Sequence, residues 1–250
     1  MNNYDTVILD IEGTITPITF VKATLFPYVI SGLESFLNRM WGSAELQEYI
    51  ALLREQAKKD VEGKASLEAV LIPTESEASA DEIKNAIKRN IRWQMEADRK
   101  IGALKSFQGY MWKEGYEAGI LRGEIYDDVI PALDKWKATG KKIYIYSSGS
   151  VSAQKLLLTF SNKGDLSNYF DGYFDTAVGL KSDTNSYKNI AKSIGKENDT
   201  KNILFVTDNI QEIFAAEKAG YQVVISDRPN NAPLLPESKN YKIVSCFDQI

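Results

Sequence analysis

An uninterrupted apolar run near the start of the chain, Val7-Ile8-Leu9, ends at Asp10 and is followed by Glu12, Gly13 and Thr14. Such a run is typical of a parallel β-strand that is covered on both faces. Open α/β sheets bind ligands at the carboxyl ends of their strands, so two carboxylates at this point indicate a site. The same residues also fit a strand that leads into a solvated polar loop, and this segment alone does not separate the two interpretations.

The next hundred residues have helical periodicity almost throughout. Apolar positions recur every three or four residues in three segments: residues 25–41, 45–62 and about 80–119. Ser79 and Glu82 form a capping-box pattern at the start of the third segment, in which Gly102 and Gly109 predict breaks. Residues 63–80 are predicted to form a loop.

Alternation of strands and helices resumes near residue 125. Strands are predicted at 142–146, 173–177, 202–208 and 221–226, and helices at 127–139, 151–160, 186–194 and 210–219. Residues 227–238, with three prolines, read as a loop. The pattern predicts an α/β fold with a doubly wound, mostly parallel sheet. We expect residues 1–16 and 125–250 to form this core and residues 17–124 to form an inserted helical cap.

Composition narrows the possible functions. The chain has 250 residues, 44% hydrophobic and 26% charged, with a formal net charge of −4. This charge does not favour nucleic-acid binding, and no apolar run is long enough to span a bilayer. The single cysteine, Cys246, excludes an internal disulfide. We therefore expect a reducing, cytoplasmic location, with the nucleus as an additional one.

The chain contains no histidine. Ser-His-Asp and Cys-His catalysis are therefore excluded, and so are histidine-ligated metals. Proton transfer is left to Asp, Glu, Lys, Tyr or a metal-bound water. A metal would have oxygen ligands, which favours Mg²⁺.

Three predicted strands end in polar residues, which places these residues on one edge of a parallel sheet. The strand-end residues are Asp10 with Glu12, Ser147 with Ser148, and Asp208. Lys181, in a loop before a helix, could reach the same edge. Hydroxyl groups and amides between a strand and a helix suit a phosphate.

Each of these residues also has a simpler interpretation. Ser147 or Ser148 could merely cap the following helix, because serine is a favoured N-cap. Lys181 could be a solvated surface lysine, and Asp208 a capping acid. Glu212 fits a solvent-facing helix position better than its alternative, which is to orient a metal-bound water.

Taken in order, two acids, a strand-end serine, a lysine and a strand-end aspartate resemble the four motifs of the haloacid dehalogenase superfamily. The local sequence resembles the enolase-phosphatase (acireductone synthase) family of methionine salvage, in which Asp-x-Glu replaces the common Asp-x-Asp. The matching segments are Asp10-Ile11-Glu12-Gly13-Thr14 with Pro17 and Phe20-Val21-Lys22, Leu25-Phe26-Pro27-Tyr28, Trp93-Gln94-Met95, 144–151 and 153–157.

The resemblance implies a role for each residue. Asp10 would be the nucleophile that forms an aspartyl-phosphate, and Glu12 the acid and then the base. One Mg²⁺ per subunit would be bound by the Asp10 and Asp208 carboxylates and by the backbone carbonyl of Glu12. Ser147 or Ser148, together with Lys181, would bind the phosphoryl oxygens.

The resemblance also implies a small phosphorylated diketone, 2,3-diketo-5-methylthiopentyl-1-phosphate, as the substrate of a monomeric enzyme. The substrate would be enolised and then dephosphorylated to acireductone, under a cap that closes over it. Phe20 is the expected contact for the methylthio tail. Glu12, Lys181 and a cap residue are the candidates for the base that enolises the substrate.

Two other classes use similar residues. A different capped Mg²⁺-dependent phosphatase would use the same site on another phosphomonoester. A receiver-type phosphoaccepting module also combines strand-end acids, a hydroxyl and a lysine, but it has no place for a hundred-residue helical insert after its first strand.

Overall fold

The computed structural model describes residues 3–66 and 68–250. Two compact units divide the chain. One comprises the residues up to Thr24 together with Tyr116–Ile250, and the other comprises Leu25–Gly115. The assignment of residues 17–124 to a separate cap domain stays a prediction.

The first unit is built on a six-stranded sheet whose strand order is β3-β2-β1-β4-β5-β6. The strands are β1 (Thr6–Leu9), β2 (Lys142–Tyr146), β3 (Gly172–Phe174), β4 (Ile203–Thr207), β5 (Gln222–Ser226) and β6 (Ile243–Val244). Every neighbouring pair is parallel. β1 lies between β2 and β4 and is fully buried, as an uninterrupted apolar run requires. The predicted α/β fold is thereby confirmed.

The first unit also contains helices, several of which pack against this sheet. These helices are α1 (Ile18–Phe20), α6 (Val129–Ala138), α7 (Val151–Thr159), α8 (Thr184–Ser193) and α9 (Ile210–Lys218). α6 packs against β2, and α9 packs against β4 and β5. Aromatic rings fill part of the core beneath α8 and α9, where Tyr187 makes edge-to-face contacts with Tyr146, Phe205 and Tyr221. The rigid sheet therefore positions the loops at its carboxyl edge.

The described part of the second unit contains α2 (Phe26–Met40), α3 (Ala44–Glu62), α4 (Ala80–Glu96) and most of α5, which runs from Gly102 to Glu117 and ends two residues beyond the unit. The predicted capping box is confirmed, because Ser79 and Glu82 satisfy each other's backbone amides. A short segment before Gly102 separates α4 from α5, as predicted. The second predicted break is wrong, since Gly109 lies inside α5. A helix-interior glycine costs only about 1 kcal/mol, which the buried neighbours Phe107 and Tyr110 can offset.

Three smaller differences involve short elements. Residues 15–20, which are too short for a crossover helix, contain the three-residue α1, and a π-helical turn that was not predicted follows it at Val21–Leu25. The strand predicted at 173–177 is β3, which is shorter and ends at Phe174. The two-residue strand β6 was not predicted, because two residues carry no periodicity.

Among the helices of the described chain, none combines the length and apolarity needed to cross a membrane.

Candidate active site

Asp10 follows the central strand β1 directly and is 5% exposed. Its amide donates to Val206 O at 3.0 Å, which continues the pairing of β1 with β4 by one residue. Its Oδ1 accepts from the Ile11 amide and lies 2.7 Å from Lys181 Nζ. Its Oδ2 accepts from Thr207 Oγ1 at 3.0 Å. Both carboxylate oxygens are therefore held in fixed positions at the sheet edge.

The loop that follows Asp10 turns tightly. Three successive amides, those of residues 14–16, donate to the carbonyl oxygen of Ile11, and the Gly13 amide donates to Thr16 O at 2.8 Å. Gly13 has a φ of +72°, and a Cβ at this position would lie 2.6 Å from Asp208 Oδ2. Glycine is thus required for two reasons, the left-handed backbone and the close approach of Asp208.

Lys181 lies buried between two acids. Its Nζ is 2.7 Å from Asp10 Oδ1 and 2.7 Å from Glu212 Oε2. Glu212 is also buried, and its Oε2 lies within hydrogen-bond distance of Thr207 Oγ1, at 2.7 Å. The surface interpretation of Lys181 and the solvent-facing interpretation of Glu212 are therefore wrong. Glu212 faces inward because α9 begins three residues after β4, so its first turn lies at the sheet edge.

Burial and neighbouring charges shift three pKa values at this site. Burial acts to lower the pKa of Lys181, but the charges of Asp10 and Glu212 outweigh it and raise that pKa above its usual range. Burial and the Asp10 charge raise the pKa of Asp208 to about 7. The same two causes raise the pKa of Glu212 to about 7. The site thus holds more acidic groups than one lysine can neutralise.

The serine segment between β2 and α7 does not cap the helix in the way the simpler interpretation proposed. Ser150 is the N-cap of α7, because its side chain accepts from the Ala153 amide. Ser147 is buried, and its Oγ accepts from the Gly149 amide at 3.4 Å. Ser148 is exposed. Ser147 and Ser148 are thus not needed as caps and lie at the carboxyl end of a strand next to β1.

Two further predicted residues lie in the segment after Asp10. Glu12 is partly exposed, and its backbone bridges to Thr16. Its charge is one of the causes that raise the pKa of Asp208, which indicates that the two acids are near each other. Phe20 is 5% exposed and belongs to α1. Its contact with a substrate stays a prediction.

A hard cation fits the donors at this edge. Among the described residues, no group of three His, Cys, Asp or Glu side chains is arranged to hold an ion. The predicted site needs only two side chains, Asp10 and Asp208, with one backbone carbonyl. Burial and the charge of Asp10 destabilise the charged form of Asp208, which raises the pKa of Asp208. A divalent cation between oxygen ligands would offset this repulsion.

Sequence reasoning missed three residues that support the site. Thr207 donates to Asp10, and Asn231 donates to the Gly13 carbonyl at 2.9 Å. Arg228, which is 5% exposed, donates from Nε to Thr14 O at 3.1 Å and pairs with Asp128 at 2.8 Å. Thr207 could have been identified from the sequence, because it lies at the end of a predicted strand, directly before Asp208. Arg228 and Asn231 lie in a loop with several prolines, where no local sequence pattern predicts burial.

Comparison of the sequence with known protein families assigns the chain to a class of enzymes. The sequence model of the haloacid dehalogenase-like hydrolases matches residues 4–220. That match covers most of the chain, and it defines the protein as a hydrolase of this class.

Similar proteins narrow the class to one family. Enolase-phosphatase E1 of Xenopus tropicalis is 47% identical over 247 residues, which cover 98% of this chain and 93% of that protein. Enolase-phosphatase E1 of Branchiostoma floridae is 45% identical over 260 residues and covers 100% of this chain and 84% of that protein. The crystal structure of the UTR4 protein of Saccharomyces cerevisiae is 32% identical, with a TM-score of 0.78 over 99% of this chain and 100% of that one. The chain belongs to the enolase-phosphatase E1 family.

Proposed function

We propose that this chain is an enolase-phosphatase of methionine salvage. It would convert 2,3-diketo-5-methylthiopentyl-1-phosphate to acireductone and inorganic phosphate. The observation that carries the proposal is the buried carboxylate of Asp10, held by Lys181 at the carboxyl end of the central strand. Membership of the enolase-phosphatase E1 family supports the choice of substrate.

Asp10 is proposed as the nucleophile. One of its carboxylate oxygens attacks phosphorus, and the bond from phosphorus to the substrate oxygen breaks, which leaves an aspartyl-phosphate. The hydrogen bonds from Ile11 and Thr207 orient the carboxylate before attack. A fixed orientation favours the reaction because positioning is a large part of phosphoryl-transfer catalysis.

Lys181 and the strand-end serines are proposed to bind the phosphoryl oxygens. The raised pKa keeps Lys181 protonated at neutral pH, so that its charge is available to a dianionic group. Ser147 and Ser148 lie at the end of β2, beside β1, and the cap of α7 is supplied by Ser150 instead. Their hydroxyls and amides are suited to an anion at this edge.

Glu12 is proposed to transfer protons in both halves of the reaction. It donates a proton to the leaving oxygen, and it then accepts one from the water that attacks the aspartyl-phosphate. The partial exposure of Glu12 allows that water to reach it. Among the candidates for the base that enolises the substrate, Lys181 is disfavoured, because a raised pKa holds it in the acid form.

The carboxylates of Asp10 and Asp208 and the backbone carbonyl of Glu12 are proposed to hold Mg²⁺. When bound, the ion reduces the repulsion between carboxylate and phosphate and can polarise a substrate ketone as a Lewis acid. The positive charge of Lys181 offsets a further part of the negative charge of the carboxylates and the phosphate. Because the metal-free site has an excess of acidic groups, cation binding should also stabilise the fold.

The proposal is tested by anaerobic incubation with the diketo phosphate, with and without a chelator. The expected result is release of phosphate together with the ultraviolet absorbance of the enediol, both abolished by the chelator. Asp10→Asn should lose phosphate release while retaining its fold, as judged by circular dichroism. Retained turnover in this variant would remove Asp10 from the role of nucleophile.

The same assay separates the two alternative functions. Another phosphatase of this class would release phosphate from other phosphomonoesters without forming the enediol. A phosphoaccepting signalling module would accumulate a slowly hydrolysed aspartyl-phosphate, and multiple turnover would exclude it.

A further inference from the structure

The loop after β5 contacts the loop after β1 through the side chain of Asn231. Its Nδ2 donates to Gly13 O at 2.9 Å and to Ser226 O at 3.2 Å. Carbonyl oxygens can only accept hydrogen bonds, so the amide nitrogen of Asn231 has to face them. These two bonds fix the orientation of the amide, and Oδ1 must point the other way.

The oxygen of this amide lies beside the proposed metal site. A Cβ at Gly13 would lie 2.9 Å from Asn231 Oδ1 and 2.6 Å from Asp208 Oδ2, so the two oxygens are within about 5.5 Å of each other. Asn231 Oδ1 is buried and accepts no hydrogen bond in the described part of the chain. A buried acceptor without a hydrogen-bond partner is unfavourable, so a donor is expected next to Asn231 Oδ1.

We propose that Asn231 is a positioning residue of the magnesium site, and this inference rests on the function proposed above. Nδ2 holds the loop that carries the Glu12 carbonyl, and Oδ1 accepts a hydrogen bond from the hydration shell of the cation. Mg²⁺ in proteins usually keeps several waters, which are strong donors. A neutral amide suits this place, because another carboxylate would add to the repulsion between Asp10 and Asp208.

The test is calorimetric titration of the 250-residue chain with Mg²⁺ in the absence of substrate. Outer partners of metal ligands typically change affinity 10- to 100-fold, so Asn231→Ala should weaken Mg²⁺ binding by about tenfold or more. Asn189→Ala is the matched control, because Asn189 Nδ2 also donates to a backbone carbonyl but Asn189 lies at an exposed position of α8. The control should bind as the unchanged protein does.

A second variant keeps the proposal testable if Asn231→Ala does not fold. Asn231→Asp places a further carboxylate beside Asp208, so the metal-free protein should melt lower and Mg²⁺ should raise its Tm more than it raises that of the unchanged protein. Equal Mg²⁺ affinity in a folded Asn231→Ala, or an equal Mg²⁺-induced rise in Tm for Asn231→Asp, would overturn the role of Asn231. Failure of the unchanged protein to bind Mg²⁺ would instead overturn the proposed metal site.

Discussion

Replacement of Lys181 by methionine should destabilise the metal-free protein strongly. The lysine is 7% exposed and bridges two buried carboxylates, with 2.7 Å between Nζ and the nearest oxygen of each. Methionine keeps much of the volume but removes the charge and the donors. Asp10 and Glu212 would then remain buried without a cation, at a place where each raises the free energy of the other's charged form.

Removal of one partner from a buried ion pair typically costs about 3–5 kcal/mol. For a chain of this size such a loss corresponds to a fall in Tm of roughly 6–20 °C. Glu212 will limit the loss at low pH, because its pKa is already raised to about 7 and it can take up a proton. The cost of Lys181→Met should therefore be larger at pH 8 than at pH 6.

The assay is differential scanning calorimetry in the presence of a chelator at pH 6 and pH 8. Calorimetry is suitable because the two compact units of the chain can unfold in separate transitions. The double variant Lys181→Met with Glu212→Gln removes both the lysine and one of the stranded acids. It should be more stable than the sum of the two single effects predicts, by at least about 1 kcal/mol.

Two outcomes would contradict this reasoning. One is a loss below about 1 kcal/mol for Lys181→Met, which is the range of solvent-exposed ion pairs. The other is additivity of the two substitutions, which would mean that Lys181 and Glu212 do not interact energetically. The control is Lys188→Met, a change of the same residue type at an exposed position of α8.

Three further predictions follow from the site and its surroundings. Glu12→Gln should slow turnover by roughly 100- to 10,000-fold, the range for a lost acid–base group, and a much smaller loss in steady-state kinetics would assign the proton transfer to another group. Mg²⁺ affinity should rise about tenfold between pH 6 and pH 8, because Asp208, with a pKa of about 7, must lose a proton to bind, and calorimetry showing no change would contradict this. Asp171→Asn should cost about 1 kcal/mol at pH 7, because solvent screens the ion pairs of this exposed residue. Burial would raise the pKa of Asp171, but hydrogen bonds from Lys137, the Ile143 amide and Lys142 lower it from 3.8 to about 2. This stabilisation is present above pH 4 and is lost as the pH falls towards 2, so urea denaturation should show the variant and the unchanged protein converging at low pH.

The chain itself determined the class of fold and the strand-end residues of the candidate site. Uninterrupted apolar runs identified β1 and β4, and the polar residues after them, Asp10 and Asp208, were predicted to lie on one edge of a parallel sheet. This inference is valid because an uninterrupted apolar run indicates a buried parallel strand, and the carboxyl ends of parallel strands lie on the same edge of the sheet. Short elements such as β6 escaped prediction because two residues carry no periodic signal.

Only the tertiary structure decided which polar side chains are buried and with what they pair. Glu212 looked like an ordinary surface position of a helix, yet it lies inside and shares Lys181 with Asp10. Arg228 and Asn231 looked like loop residues, yet they donate to the backbone of residues 13 and 14 from more than two hundred positions away. Contacts between residues so far apart in the sequence depend on how the loops at the sheet edge pack against each other. No local sequence pattern predicts this packing.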